Sequence, residues 1–243
     1  MLDHKVVSHD AWLSARKKHL AKEKEFTHLR DQLSRERREL PWELVDKDYT
    51  FQSEHGTVSF REMFAGRGQL VVYHAMFNPD TAGPHTSWTP DAACFSCSWW
   101  MDNFNGITVH LNHRDITMVA VSLAPYEKIA AYRQRMGWTF PWFSSMGSEF
   151  NFDYHVSFAP DQLAAGQVEY NYRVVPSPNS ELPGISVFLA ADDGSIYHTY
   201  STYARGVDML NVAYHYMDLV PKGRDEGGEQ GNGWIRRHDE YSD

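Results

Sequence analysis

Three absences narrow the field before any motif is read. No run approaches the ~18 apolar residues a membrane-spanning helix needs, and the opening MLDHKVVSHD lacks the apolar centre of a signal peptide. A cytoplasmic protein with no membrane partner is therefore expected. Basic residues are not in excess: 23 Lys and Arg face 32 Asp and Glu, a formal charge of −9, which sets aside nucleic acid as a partner. Cysteine is nearly missing, with only Cys94 and Cys97, far from the disulfide framework of a small secreted domain. What is present is 42 % hydrophobic and 14 % aromatic in 243 residues, enough for a core and for one or two domains.

Glycine and proline are also absent from residues 9–40, where Phe26, Leu29, Leu33 and Leu40 follow helical spacing behind Ser8 as N-cap. A long amphipathic helix is expected over the N-terminal extension 1–41, its charges solvated and its apolar stripe docked on the body or on a second copy, which makes a homodimer an expectation. The first forty residues carry 10 basic and 7 acidic side chains, so the composition shifts near Pro41. Residues 42–220 then alternate short β-branched and aromatic runs with helical stretches, as a mixed α/β domain does. Strands are expected from Tyr49 to Phe51, Leu70 to Phe77, Thr117 to Ser122, Val168 to Val175, Ile185 to Ala190 and Ile196 to Tyr200, with Asp193-Gly194 as the turn between the last two. Helices are expected at Ser59 to Phe64, from the cysteines to near Gly106, from Pro125 to Met136 with Gly137 as stop, and from Val207 to Leu219. The tail 221–243, with five glycines in 23 residues, is expected to be irregular.

The cysteines stand together, in Cys94-Phe-Ser-Cys97, a spacing that chance gives two cysteines in roughly 0.8 % of such chains. Read as placed directly after a buried strand and at the start of a helix, the first sulfur lies by unpaired N–H groups and the positive end of the helix dipole, which favours thiolate. Cys97, one turn on, is placed to resolve a mixed disulfide. That pattern points to thiol-disulfide exchange with a protein or small-molecule disulfide, an external thiol reductant and no cofactor. His74 and His85 are candidate proton acceptors for Cys97.

Other chemistries compete for the pair. Cys94-x2-Cys97-x12-His110-x2-His113 comes close to a zinc-finger spacing, although His110 and His113 lie in a stretch that reads as strand and turn rather than helix. Pro90-x3-Cys94-x2-Cys97 mimics the Pro-x3-Thr-x2-Cys arrangement of peroxiredoxins with a thiol in the threonine place, which converts a peroxidase site into a dithiol. Two inert buried thiols in a binding module complete the alternatives.

The strand Leu70 to Phe77, the dithiol with Ser98-Trp-Trp-Met-Asp-Asn-Phe104, His110-Leu-Asn-His-Arg-Asp115, Met136-Gly-Trp-Thr-Phe-Pro-Trp142 and His198-Thr-Tyr-Ser-Thr-Tyr-Ala-Arg-Gly206 resemble a bacterial thioredoxin-like family. It was formerly a domain of unknown function, and its members are described as predicted dithiol-disulfide oxidoreductases. The resemblance covers nearly the whole chain and implies a thioredoxin-like mixed sheet flanked by helices, with dithiol chemistry. Two features depart from its pattern: the loop Asn78 to Ala93 is longer, and Leu123 stands where an arginine precedes Ala-Pro. Such folds place a cis-proline opposite the cysteines, and Pro183 before Ile185 is the candidate. Tyr200, Tyr203 and Arg205 end a predicted strand and border the dithiol or brace the corner, with Arg205 as a thiolate stabiliser. Trp138, Phe140 and Trp142 line an apolar groove or pack the core, and of Trp99 and Trp100, which cannot share one helix face, one is expected to stay partly exposed.

Overall fold

The computed structural model describes residues 4–176, 179–227, 231 and 233–242, and the chain divides between Pro41 and Trp42 into two units. The first is one helix, α1 (His9–Arg38), whose alanine, leucine, lysine, glutamate and arginine content favours helix. The Ser8 hydroxyl accepts the Ala11 N–H at 3.4 Å, and Arg35, Arg37 and Arg38 in the last turn complement the negative end of the dipole. No helix among the described residues is long and apolar enough to cross a membrane.

The second unit begins with β1 (Glu43–Leu44), β2 (Thr50–Ser53), β3 (Gly56–Ser59) and β4 (Gln69–His74). It continues through α2 (Phe95–Met101), α3 (Thr108–Asn112), β5 (Ile116–Ser122), α4 (Tyr126–Arg135), β6 (Trp142–Ser144), α5 (Phe150–Asp153) and α6 (Pro160–Ala164). The last elements are β7 (Gln167–Tyr170), β8 (Arg173–Pro176), β9 (Gly184–Ala190), β10 (Ile196–Tyr203) and α7 (Val212–Met217). Eight strands form one sheet in the order β1-β10-β9-β4-β5-β6-β2-β3, while β7 and β8 make a separate hairpin. At its centre β4 and β5 run parallel across a helical crossover, β9 lies antiparallel on the other edge of β4, and β10 returns beside β9 before α7. A parallel β-α-β unit followed by an antiparallel hairpin and a closing helix is the thioredoxin-like arrangement.

The apolar run in β4 follows from burial on both faces, because side chains alternate across a strand. Val71 and Tyr73 face the core that holds both cysteines, with Met118 and Ala120 of β5 and Ile185 of β9. Leu70 and Val72 face the opposite core with Val119, Val121, Phe150 and Phe188. Pro125 sits at the N-cap of α4, and Gly137 just beyond its end takes the left-handed φ of 64° that stops a helix.

Several elements depart from the sequence reading. The expected strand Val168 to Val175 is the β7–β8 hairpin, turned by Asn171 and Tyr172 at φ 54° and 61°, a pair without the glycine that normally marks such a turn. The expected helix Val207 to Leu219 is divided. A 3-10 segment, Ala204–Leu210, stops at buried Asn211, whose side chain accepts the Tyr214 N–H at 3.3 Å and caps α7. Ser59 closes β3 and only Glu62–Phe64 form a 3-10 turn. The dithiol helix ends at Met101 rather than near Gly106. His110 lies inside α3 and His113 caps it, closed by Leu111 and His113 N–H bonds to Ile107 and Val109. Trp99 and Trp100 are both buried, because Tyr214 packs on both rings and Trp234 covers Trp99. Those last two partners come from a C-terminal region that local helix geometry cannot anticipate.

Candidate functional site

The extension of β4 presents the dithiol. Cys94 donates its N–H to the Met76 carbonyl at 3.0 Å, and its own carbonyl accepts the Ser98 N–H at 2.9 Å and the Ser98 hydroxyl at 2.8 Å. Cys94 thus occupies the N-cap of α2, and its sulfur takes the place of a capping oxygen by accepting the Cys97 N–H at 3.4 Å. The Ser87 hydroxyl donates to the same sulfur at 2.9 Å, and the Ser96 hydroxyl lies 3.0 Å from it. Both cysteines are free thiols and buried.

Burial and hydrogen bonding act on the two sulfurs in opposite senses. Burial pushes the Cys94 thiol up, but the Cys97 thiol and N–H and the Ser87 and Ser96 hydroxyls all donate to its charged form and bring it down to about 6. Cys97 is driven well above the ordinary thiol value, first by burial and then by holding its proton toward Cys94, with the Tyr73 hydroxyl and the Met76 backbone as weaker counterweights. The pair therefore carries one proton at neutral pH: a Cys94 thiolate beside a Cys97 thiol.

A pocket of about 900 Å³ opens on Cys97. Its floor is buried Tyr73, Cys97 and Trp100 with half-buried Pro183, and its rim includes Ser96, Arg205, Asp208, Asp218 and Arg224. Cys94 is completely buried and lies one side chain behind that lining, reached through Ser96.

The predicted site residues divide between this pocket and elsewhere. Pro183 lies in the floor with Cys97, but its peptide bond is trans, as are all those among the described residues. Trans is the lower-energy isomer by about 0.5–1 kcal/mol, and here the Pro183 carbonyl is tied to the Tyr170 hydroxyl at 2.6 Å. Arg205 reaches only the rim. Its exposed guanidinium turns to Asp208 at 3.3 Å, so the thiolate draws its stabilisation from hydroxyl and amide donors instead. Tyr203 packs between Tyr170 and Tyr172 and donates to the Tyr154 carbonyl at 3.1 Å; a methyl on Gly184 would lie 2.6 Å from its ring. Trp99, Trp138, Phe140 and Trp142 are core, and it is Trp100 that lines the pocket, with its indole N–H on the Val207 carbonyl at 3.0 Å.

His110 and His113 are exposed on α3 while the cysteines are buried, so the Cys/His metal set does not assemble. Among the described residues no three His, Cys, Asp or Glu side chains are grouped to hold a metal. His74 points to the face of the sheet opposite Cys97, stacked near Phe150 and Tyr154, and His85 is exposed in the long loop. Neither is brought to the sulfur as a proton acceptor.

Four groups at the site escaped the sequence reading. Ser87 and Ser96 carry no motif signal, although a hydroxyl beside a cysteine pair is an inexpensive donor to look for. Glu181 is buried two residues before Pro183, where the Ser157 hydroxyl donates to it at 3.3 Å and the Phe77 N–H also reaches it. Burial, and then the charge of Cys94, raise its carboxyl to about 8, so it stands neutral beside the thiolate. Arg237, from the C-terminal segment, is buried and gives two N–H bonds to the Ala93 carbonyl, at 2.6 and 3.1 Å, which locks the peptide that precedes Cys94.

The family model described as "Bacterial protein of unknown function (DUF899)" matches residues 1–241. The chain belongs to that family. Among curated proteins none matches this sequence. Similar solved structures include the peroxidoxin BcpB of Mycobacterium tuberculosis, at 12 % identity and a TM-score of 0.43, with 70 % of this chain and 93 % of that one covered. A mutant of PrxQ from Xylella fastidiosa gives 13 % identity and a TM-score of 0.42, over 72 % and 95 % of the two chains. The mitochondrial 2-cys peroxiredoxin of Plasmodium falciparum gives 9 % and 0.39, over 72 % and 92 %. The functional reading rests on the side chains of this chain itself.

Proposed function

We propose that this protein is a thiol-disulfide oxidoreductase working through Cys94 and Cys97. The observation that carries the reading is the convergence of the Cys97 N–H, Ser87 and Ser96 on one sulfur, which holds Cys94 as thiolate one helical turn from a protonated partner. The thiolate attacks a substrate disulfide, forms a mixed disulfide and releases one thiolate. Cys97 then attacks the Cys94 sulfur, closes the intramolecular disulfide and releases the second thiol, its own proton passing to the departing sulfur. An external thiol reductant restores the pair, and no cofactor enters. The substrate comes through the pocket floored by Cys97 and Pro183, and a rotation of the Ser96 side chain, a picosecond-to-nanosecond event, uncovers the Cys94 sulfur. In a cytoplasmic setting the reductive direction is favoured.

The test is an equilibrium titration of the purified protein in graded thiol buffers, with alkylated Cys94 and Cys97 counted by mass spectrometry. A reversible two-electron transition between about −300 and −100 mV is expected. Cys94→Ser is expected to lower disulfide exchange by at least about a thousandfold. Thiols that stay unpaired across that range, or full exchange by the serine variant, would leave a non-catalytic binding module as the better account.

A further inference from the structure

The rim of the dithiol pocket is not electrically neutral, and the imbalance is traceable to individual side chains. Among the described lining residues the only cations are Arg205 and Arg224, against the carboxylates of Asp208, Asp218, Asp225 and Glu226. The two cations are already committed. Arg224 holds Asp218 through two bonds of 2.8 Å and Asp208 at 3.2 Å, with its guanidinium 3.8 Å above the centre of the Tyr214 ring. Arg205 turns to Asp208 at 3.3 Å. Glu226 is held instead by two neutral donors, the Tyr214 hydroxyl at 3.1 Å and the Trp234 indole N–H at 3.0 Å, and Asp225 is exposed beside it. Two negative charges therefore remain uncompensated at the entrance to a pocket whose floor is apolar and aromatic. A field of one sign focused by a low-dielectric wall raises the local concentration of ligands of the other sign and repels those of its own.

We propose that the pocket selects disulfides bearing positive charge near the reacting sulfurs, of the aminothiol type, over anionic disulfides, and that Asp225 and Glu226 impose the choice. The inference rests on the dithiol reading above and names its substrate class. The reaction balances with water as the only further proton source: the reduced protein, with one proton on its sulfur pair, and an aminothiol disulfide give the protein disulfide, one aminothiol protonated from Cys97 and one aminothiolate that takes its proton from solvent, two electrons passing from the protein sulfurs to those of the substrate.

The experiment mixes the reduced full-length protein with cystamine, 2-hydroxyethyl disulfide or 3,3′-dithiodipropionate at low ionic strength and follows the loss of its thiols. Each rate is divided by that of dithiothreitol with the same disulfide, which removes intrinsic leaving-group differences. The cationic substrate is expected to exceed the anionic one by about tenfold or more, and the ratio is expected to shrink severalfold in 0.3 M salt, where screening acts within about 6 Å. Asp225→Asn with Glu226→Gln should bring the ratio down by at least about threefold, whereas Glu127→Gln, an exposed carboxylate on α4, should leave it unchanged and so separate the rim from the net charge of −9. A ratio of one or less in the wild-type protein overturns the inference, with or without a folded double variant, as does a ratio that the double variant and Glu127→Gln lower equally. Oxidation by none of the three disulfides instead overturns the dithiol reading, and this inference with it.

Discussion

Tyr73 and His74 are neighbours in β4, and the two faces of the sheet they enter treat buried polar groups in opposite ways. On the Tyr73 side, donors from the loop and from the first turn of α2 converge on one sulfur and stabilise its charge. On the His74 side a chain of hydrogen bonds runs from His74 Nε2 to Ser186 at 2.9 Å, to Ser201 at 2.9 Å, to His198 Nε2 at 2.7 Å, and from His198 Nδ1 to Glu43 at 3.3 Å. With Nδ1–H of His198 given to Glu43, every donor in that chain points toward solvent, and His74 Nδ1 is left buried without a partner. Burial first, and then His198, push the His74 pKa down to about 3, so the ring is neutral. Desolvation opposes charge on both faces. It loses where several donors share one acceptor, and it wins where each donor is already spent on the next hydroxyl.

Removing the donors on the dithiol face is the largest way to break this contrast. A hydrogen bond to a charged group is worth about 1.5–3 kcal/mol, so Ser87→Ala and Ser96→Ala should each raise the Cys94 pKa by about one unit or more. Together they should carry it above 7, and the thiolate absorbance at 240 nm, followed against pH, reads the shift directly. An unmoved titration would mean that the serines only fill space.

The opposite face is tested through stability. The folded-state pKa of His74 is depressed below the ordinary 6.5, so the native state binds fewer protons than the unfolded chain between pH 6.5 and about 3. Stability is full above pH 6.5 and is lost as pH falls through that window, by up to about 1.4 kcal/mol per unit. His74→Gln has no proton to gain, and urea midpoints at pH 7 and pH 5 should lie closer together than in the wild type.

Glu181 gives the smallest and most discriminating effect, because it lies near the dithiol yet behaves like His74. Its folded pKa is raised from 4.5 to about 8, so the native state holds a proton that the unfolded chain has lost. Stability is therefore full below pH 4.5 and falls as pH rises through about 8. Glu181→Gln keeps the shape without the proton and should flatten the decline between pH 6 and 8, by about 1 kcal/mol or more over that span. A decline unchanged in the glutamine variant would place the responsible proton elsewhere.

Much of this molecule is legible locally. The β4 run reads as doubly buried because its residues are apolar on both faces, the cysteine pair reads as a helix start because the residues before it are loop formers, and Gly137 and Asp193-Gly194 read as stops. Where the reading failed, the deciding contact was distant or carried no characteristic residue. Asn171-Tyr172 turns a hairpin without glycine, and the helix expected through Asn211 gives way because a buried amide caps there. Trp99 is covered by Trp234, far along the chain.

The sequence by itself determined that a dithiol would stand at the N-terminus of a helix that follows a doubly buried strand, since spacing, apolar runs and capping act over a few residues. Only the tertiary structure decided what that dithiol is. Ser87 folds back over Cys94, Arg237 pins Ala93 from the other end of the chain, and a neutral Glu181 takes its place nearby, because desolvation and hydrogen bonding depend on which groups meet in space and not on their order along the backbone.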